Sequence, residues 1–394
     1  MPEPMTQSPL LPVYLTPDAV FVRAEGRTLF DAEDNAYLDF TSGIGVTALG
    51  HGNPVVREAI GRVLDTGLIH ASNLFRTGPV EELARELTRH SGLDLAYFCN
   101  SGAESVEGAL KFARKWARSR GGADKHRIVA LRGAFHGRLF GSLAITDRPE
   151  YREPFEPLMP GVDFVPATVP EDIERALDPD RTAAMIVEPI QGEGGVRPLP
   201  LDLLQQLRRW TEERGIALIL DEIQCGFGRT GTLFAHEPAG IRPDILVLAK
   251  PLANGLPIGA VLLRHEVGAA MSPGDHGTTF GGGPLVTSVA LAVLRVVSDP
   301  EFLAEVDRKG RKLEGLLSQL RSGREGAVRE IRGRGLFRGV ELKEEAADVV
   351  ARARESGLLV VPAGKHVLRL LPALTVTDEE LERAVSILGE ALDD

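Results

Sequence analysis

Only two cysteines, Cys99 and Cys225, occur in 394 residues, and no close Cys/His cluster accompanies them. A disulfide framework and a structural zinc site are both excluded on that count, and no other metal set is expected. The chain also lacks a basic excess: 45 Lys and Arg against 56 Asp and Glu give a net charge of −11. Nothing therefore favours a nucleic-acid backbone or an anionic membrane as partner, and a small anionic ligand needs a local basic pocket. No apolar stretch approaches the ~20 residues of a membrane span, and Met1 to Pro12 shows no basic-then-apolar signal pattern. A soluble, cytoplasmic protein with reduced thiols is expected. Internal repeats and low-complexity linkers are also missing.

What is present is globular: 43% hydrophobic and 26% charged residues, with 43 glycines to serve tight turns and ligand-facing loops. The length suggests roughly two or three domains. Residues 20 to 50 alternate short β-like runs with turns and read as a small antiparallel meander. After Asn53-Pro54 the apolar spacing Val55, Val56, Ala59, Ile60, Val63, Leu64 is helical. From about residue 95, short apolar runs alternate with helical stretches, which predicts a parallel α/β sheet. Its seven strands are Leu95 to Cys99, Arg127 to Arg132, Asp163 to Pro166, Ala183 to Glu188, Ile216 to Asp221, Ile245 to Lys250 and Gly259 to Leu263. Helices follow from Pro284 through Val297 and from Pro300 to about Leu320, and the last hundred residues read as α+β. The meander is too small to stand alone, so a smaller domain built from both termini is expected. The divisions are 1–53 for the N-terminal part of the small domain, 54–284 for the large α/β domain and 285–394 for the C-terminal α+β part.

Several of these runs end in chemistry. Asp221 closes Ile216–Leu220 and Lys250 closes Ile245–Ala249. On neighbouring strands of one parallel sheet both would stand at the carboxyl edge, where open α/β sheets bind ligands. A partly desolvated lysine amine condenses with an aldehyde, and an aspartate holds a cationic ring nitrogen. That is the pairing pyridoxal phosphate (PLP) requires, although two strand-capping charges are the plainer reading of the pair taken alone. Asn100-Ser101-Gly102-Ala103-Glu104 follows the first strand and opens a helix. Ser101 and Glu104 have capping-box spacing, and Gly102 lets an anion approach the free N–H groups at the positive end of the helix. Phe135-His136-Gly137-Arg138 follows the second strand: Phe135 can cover a flat ring and Arg138 can pair with a carboxylate, while His136 reads as a hydrogen-bonded structural residue. Glu188-Pro189-Ile190-Gln191-Gly192-Glu193-Gly194-Gly195 puts Glu193 in a glycine turn as a movable partner for an arginine. Arg369, on the apolar strand Val367 to Leu371, needs such a carboxylate or a substrate to meet it.

Taken in order, these segments resemble the class III (subgroup II) aminotransferases of PLP-dependent fold type I, and among them the acetylornithine enzymes. Ser42 to His51, the Ser-Gly-Ala-Glu turn, Phe-His-Gly-Arg, the Glu-Pro-Ile-Gln-Gly-Glu-Gly-Gly run, Asp221-Glu222-Ile223-Gln224, Lys250 and His276 to Gly282 carry the resemblance over nearly the whole chain. It implies an α/β fold-type I transferase with a large, mostly parallel seven-stranded sheet domain, and a homodimer with the active site at the subunit interface. It implies that Lys250 binds the cofactor and moves the substrate proton, and that Asp221 keeps the pyridine nitrogen protonated. Gln224 would bond the phenolic oxygen and Phe135 stack on the ring. Ser101, Gly102 and Ala103 would seat the phosphate, with Thr279 given by a second subunit and Thr278 beside the substrate.

Arg138 would bind the α-carboxylate of acetylornithine and the distal carboxylate of glutamate, and Glu193 would mask Arg369 until glutamate needs it. The implied reaction moves the terminal amino group of N2-acetyl-L-ornithine to 2-oxoglutarate. Ser42-Gly43-Ile44 supports an acylated donor, because related ornithine enzymes place a polar aromatic near this point. Succinylornithine, 4-aminobutyrate, ornithine and a carrier-protein-linked lysine-pathway intermediate are the nearest other donors. An aminomutase or decarboxylase, or a non-enzymatic binding protein, stands further off. Gly283, where the family usually has asparagine, and Pro251-Leu252-Ala253-Asn254-Gly255 after the lysine depart from the family pattern.

Overall fold

The computed structural model describes residues 10–393 apart from 15, 18 and 325, so most of the stretch read for a signal pattern lies outside the described residues. Strands β1 (Phe21–Glu25), β2 (Thr28–Asp31) and β3 (Ala36–Asp39) form the expected antiparallel meander. The helix that follows, Pro54–Thr66, starts where its signals place it. Asn53 accepts the Val55 N–H at 3.0 Å, Pro54 fills the first turn, and Gly67 ends the helix at φ +69°.

The central sheet contains β4 (Leu95–Cys99), β5 (Arg127–Leu131), β6 (Val162–Val165) and β7 (Thr182–Val187). A short ribbon of β8 (Ile190–Gln191) and β9 (Arg197–Pro198) intervenes before β10 (Ala217–Asp221), β11 (Ile245–Leu248) and β12 (Gly259–Leu263). The spatial order is β4-β12-β11-β10-β7-β5-β6. Each of the seven apolar runs is one of these strands. Their alternation sorts the two faces: Ile128, Ile186, Ile219 and Val247 join one apolar cluster with Val106, Leu110 and Trp116 of helix Gly102–Gly121. Val129, Met185, Leu218 and Leu246 join the other, with Leu207 of helix Leu201–Glu213 and Val293 of helix Pro284–Val297. Burial on both faces is why these strands read as continuous apolar runs.

The sheet is mostly parallel, as expected, and one strand is the exception. β12 runs antiparallel to both β11 and β4, whereas β11, β10, β7, β5 and β6 pair in parallel. A doubly buried run looks the same in either direction. The connection from Leu248 to Gly259 holds only a short 3₁₀ turn, Lys250–Ala253, and is too short for a crossover helix.

Near the C-terminus, β13 (Val328–Arg334), β14 (Phe337–Leu342), β16 (Val361–Pro362) and β17 (Val367–Leu370) form a second sheet in the order β13-β14-β17-β16. β15 (Leu358–Leu359) instead pairs in parallel with β3, so residues from both ends of the chain share one sheet. Helix Pro284–Val297 packs on helices Pro54–Thr66 and Gly78–Ser91, tying the start of the expected C-terminal part to the cover of the large sheet. No helix of the described residues is long and apolar enough to cross a membrane.

Candidate active site

Asp221 ends β10 level with Val247 on β11, and Lys250 follows three residues later. The two charges therefore do meet at the carboxyl edge. They line a cavity of about 260 Å³ together with Gly102, Ala103, Phe135, Arg138, Glu193 and Gln224. Ser101 and Arg369 stand just behind this lining, and Thr278 and Thr279 do not reach it.

Asp221 is buried, at 4% exposure. Its Oδ1 accepts the Ile223 N–H at 3.1 Å, and its Oδ2 lies 2.8 Å from His136 Nδ1. His136 is thus the hydrogen-bonded structural residue expected, and its partner, which the sequence did not name, is the aspartate it positions. The signal was available, since its loop leaves the same sheet edge. Its Nε2 is buried without a hydrogen-bond partner in the protein. Burial pushes the Lys250 amine down to about 8, the Arg369 charge adds to this, and Glu193, Asp221 and Glu188 oppose it. The turn after the lysine is held by Asn254, at φ +46°, whose amide accepts the Leu49 N–H at 2.7 Å and donates to the Gly50 carbonyl at 3.0 Å. The departure from the usual glycine-rich run therefore fastens this turn to the loop before helix Pro54–Thr66.

At the other end of the cavity, Ser101 caps helix Gly102–Gly121 by accepting the Glu104 N–H at 3.2 Å. The reciprocal arm of the capping box is shifted by one residue: Glu104 accepts the Asn100 N–H at 2.6 Å. This leaves the Gly102 and Ala103 N–H groups for an anion. A Cβ on Gly102 would come within 2.9 Å of Ile223, so a larger residue here would have to push that side chain aside. Thr278 is bound to the same turn from outside, accepting from the Asn100 amide at 3.0 Å.

Arg138 is exposed, and its guanidinium lies 3.3 Å from the ring centroid of Tyr151 and 5.8 Å from that of Phe135. Tyr151, which carried no sequence signal, holds the arginine in place by a cation–π stack. Tyr151→Leu is expected to raise KM for both carboxylate substrates about three- to tenfold with kcat unchanged, and Tyr151→Phe to behave as wild type. Steady-state kinetics on each substrate checks this.

Arg369 is 2% exposed and pairs through Nη1 with Glu193, as expected, while the same nitrogen donates to Gln224 Oε1 at 2.9 Å. With its oxygen engaged by Arg369, Gln224 has only its NH₂ to give, and part of that goes to the Glu193 carboxylate. Burial works against the charge on Glu193, but Arg369, Lys250 and Gln224 outweigh it and hold the carboxyl below its usual range. The glycine turn carrying Glu193 is not the loose segment its composition suggests. Gly192 donates to Glu188 at 3.0 Å, Arg148 donates to the Glu193 carbonyl at 2.7 Å, and Arg332 donates to the Gly195 carbonyl at 2.6 Å. Glu188, named in that run from the sequence but given no role, follows directly on β7.

These residues fit PLP. The cavity joins a buried carboxylate, an amine of lowered basicity, an aromatic side wall and a helix start with two unspent N–H groups. When bound, PLP supplies an electron sink for the pair released as a proton leaves the substrate carbon. Asp221 would hold the ring nitrogen's charge, Gly102 and Ala103 the phosphate, and Lys250 the aldehyde carbon.

Residues 13–392 match the family Aminotransferase class-III. The acetylornithine aminotransferase of Methanocaldococcus jannaschii is 44% identical over 384 residues, covering 96% of this chain and 95% of its own. The N-acetylornithine aminotransferase structure from Stenotrophomonas maltophilia K279a superposes with a TM-score of 0.84 at 35% identity, covering 95% of this chain and 96% of that one. An ornithine aminotransferase structure from Toxoplasma gondii, with partial occupancy of PLP at its active site, gives 0.92 at 33% identity over 97% and 92% of the two chains. Fold and cavity together define a PLP-dependent transferase of fold type I. The chain belongs to the class-III aminotransferases.

Proposed function

We propose that this enzyme transfers the terminal amino group of N2-acetyl-L-ornithine to 2-oxoglutarate, giving N-acetyl-L-glutamate 5-semialdehyde and L-glutamate, a step of arginine biosynthesis. The observation that carries this reading is the contrast between two arginines at one cavity. Arg138 is open to a carboxylate, whereas Arg369 is buried and masked by Glu193. The amino donor presents one carboxylate, to Arg138, and glutamate presents two. Arg369 receives the second when Glu193 turns away. Lys250, in the turn that follows the strand beside Asp221, moves the proton between the substrate carbon and its acceptor. A single-turnover titration that offers acetylornithine, succinylornithine, ornithine and 4-aminobutyrate in turn, watching the cofactor's absorbance, tests the assignment. Acetylornithine is expected to react fastest, and a faster ornithine would overturn it.

The enzyme acts as a homodimer in the cytoplasm on this reading, its two buried thiols reduced. Thr279 is exposed, and beside it Phe280, Leu74 and Phe75 are 65%, 88% and 71% exposed. The two segments adjoin, since the His70 and Phe280 rings lie 5.5 Å apart and Asn73 donates to the Thr278 carbonyl at 2.6 Å. Apolar side chains in one such patch are what an obligate interface covers. A second copy seated there would bring its Thr279 to the phosphate end of its neighbour's cavity. Sedimentation equilibrium is expected to return twice the 42.5 kDa chain mass, and a monomer would remove this part of the reading.

A further inference from the structure

Glu188 is the carboxylate at the site that the chemistry above leaves unused. It follows β7 and is 6% exposed, and burial pushes its carboxyl up to about 7, against the pull of His136 and with the push of Asp221. Its two oxygens reach two different loops. Oε1 accepts the Phe135 N–H at 2.9 Å, and Oε2 accepts the Gly192 N–H at 3.0 Å, one residue ahead of Glu193. One carboxylate therefore sets the ring-covering loop and the turn of the masking glutamate in a single frame.

The same turn is tied at two further points. Arg148 Nη2 holds the Glu193 carbonyl and Arg332 Nε the Gly195 carbonyl, while Arg332 is itself anchored by Glu330 and Glu341. Gly192 also runs close against Gln224, whose amide oxygen a Cβ there would meet. The backbone is held from three directions, and only the Glu193 side chain turns to Arg369. Displacing this turn as a body would drag the Phe135 loop with it through Glu188.

We propose that Glu188 is a positioning residue of the substrate switch: with Arg148 and Arg332 it fixes the 192–195 turn, so that Arg369 is masked and released by rotation of the Glu193 side chain over a stationary backbone. The proposal rests on the reading of Glu193 and Arg369 given above. Its consequence is asymmetric. A loosened turn leaves Arg369 unmasked against the amine-bearing end of the acylated donor, which has no carboxylate to meet it, while glutamate, which needs that arginine free, is served as well as before.

Glu188→Gln tests this in the holoenzyme, since an amide of the same size has one acceptor and cannot meet both N–H groups. The acetylornithine half-reaction is expected to show KM raised about tenfold, with the glutamate half-reaction held within about threefold. Backbone amide exchange in the segment 189–197 is expected to quicken, a readout independent of turnover. Arg148→Gln loosens the same turn from outside the cavity and is expected to shift the ratio in the same direction by a smaller factor, which keeps the test available if Glu188→Gln folds poorly. An unchanged ratio of the two half-reactions in the folded variants overturns the proposal, whatever the exchange rates. Arg369→Ala run alongside separates the two levels. If it leaves glutamate untouched, the switch itself has failed; if it removes glutamate while the other variants keep the wild-type ratio, only the clamp has failed.

Discussion

Replacing Lys250 by alanine is expected to end transamination in both half-reactions, with kcat/KM falling by at least roughly 10⁴-fold, the upper range for one general acid–base group. Lys250 is the amine lining the cavity, and the Asp221 carboxylate stands on the adjacent strand. Its basicity gives a second measurement. Burial, then the Arg369 charge, lowers the amine to about 8, and the ammonium form is unreactive toward an aldehyde. The free amine grows as pH rises, so the rate at which cofactor-free protein captures PLP should climb with pH and level off above about 8. Stopped-flow absorbance across that range checks the profile. Removing Arg369 takes away one depressing charge, and the plateau should move to higher pH. Residual turnover in Lys250→Ala would contradict the assignment outright.

Arg369→Ala should separate the two substrates. The glutamate half-reaction is expected to lose about 10²- to 10³-fold in kcat/KM, the scale for truncating one side of a buried charge pair, while the acetylated donor changes less than about tenfold. Stability should also drop by about 1–3 kcal/mol, because the half-buried Glu193 is left without its cation. Half-reaction kinetics and a thermal melt measure both. Glutamate kinetics identical to wild type would falsify the dual use of this pocket.

The parts of the site legible in the sequence are those that sit at the ends of strands. Ile216–Leu220 and Ile245–Ala249 are apolar because both of their faces are buried, and the first polar residue after each must therefore stand at the sheet edge. The same rule applies to Glu188. His136 and Tyr151 were harder, because what they do depends on contacts across 85 residues to Asp221 and across a loop to Arg138. The direction of β12 was hidden, since apolar periodicity carries no sign; only the length of the preceding connection reports it. Glycine content misread the 192–195 turn for a related reason. Glycine permits motion in an isolated chain, but here it lets the backbone come close enough to be gripped by Glu188, Arg148 and Arg332.

The pairing of Asp221 with Val247 makes the sheet a ruler for the cofactor. Because side chains alternate across a strand, a slip of one residue between β10 and β11 would send Asp221 to the opposite face and shift Lys250 along its edge. The spacing between amine and carboxylate is thus stored in the ladder of the most deeply buried strands, where no small adjustment is possible. Arg138, Glu193 and Arg369 hang from a loop, a turn and a strand of a separate sheet. Substitutions there can retune the choice of amine while the ruler keeps its length, so the reaction and its substrate are free to change at different rates.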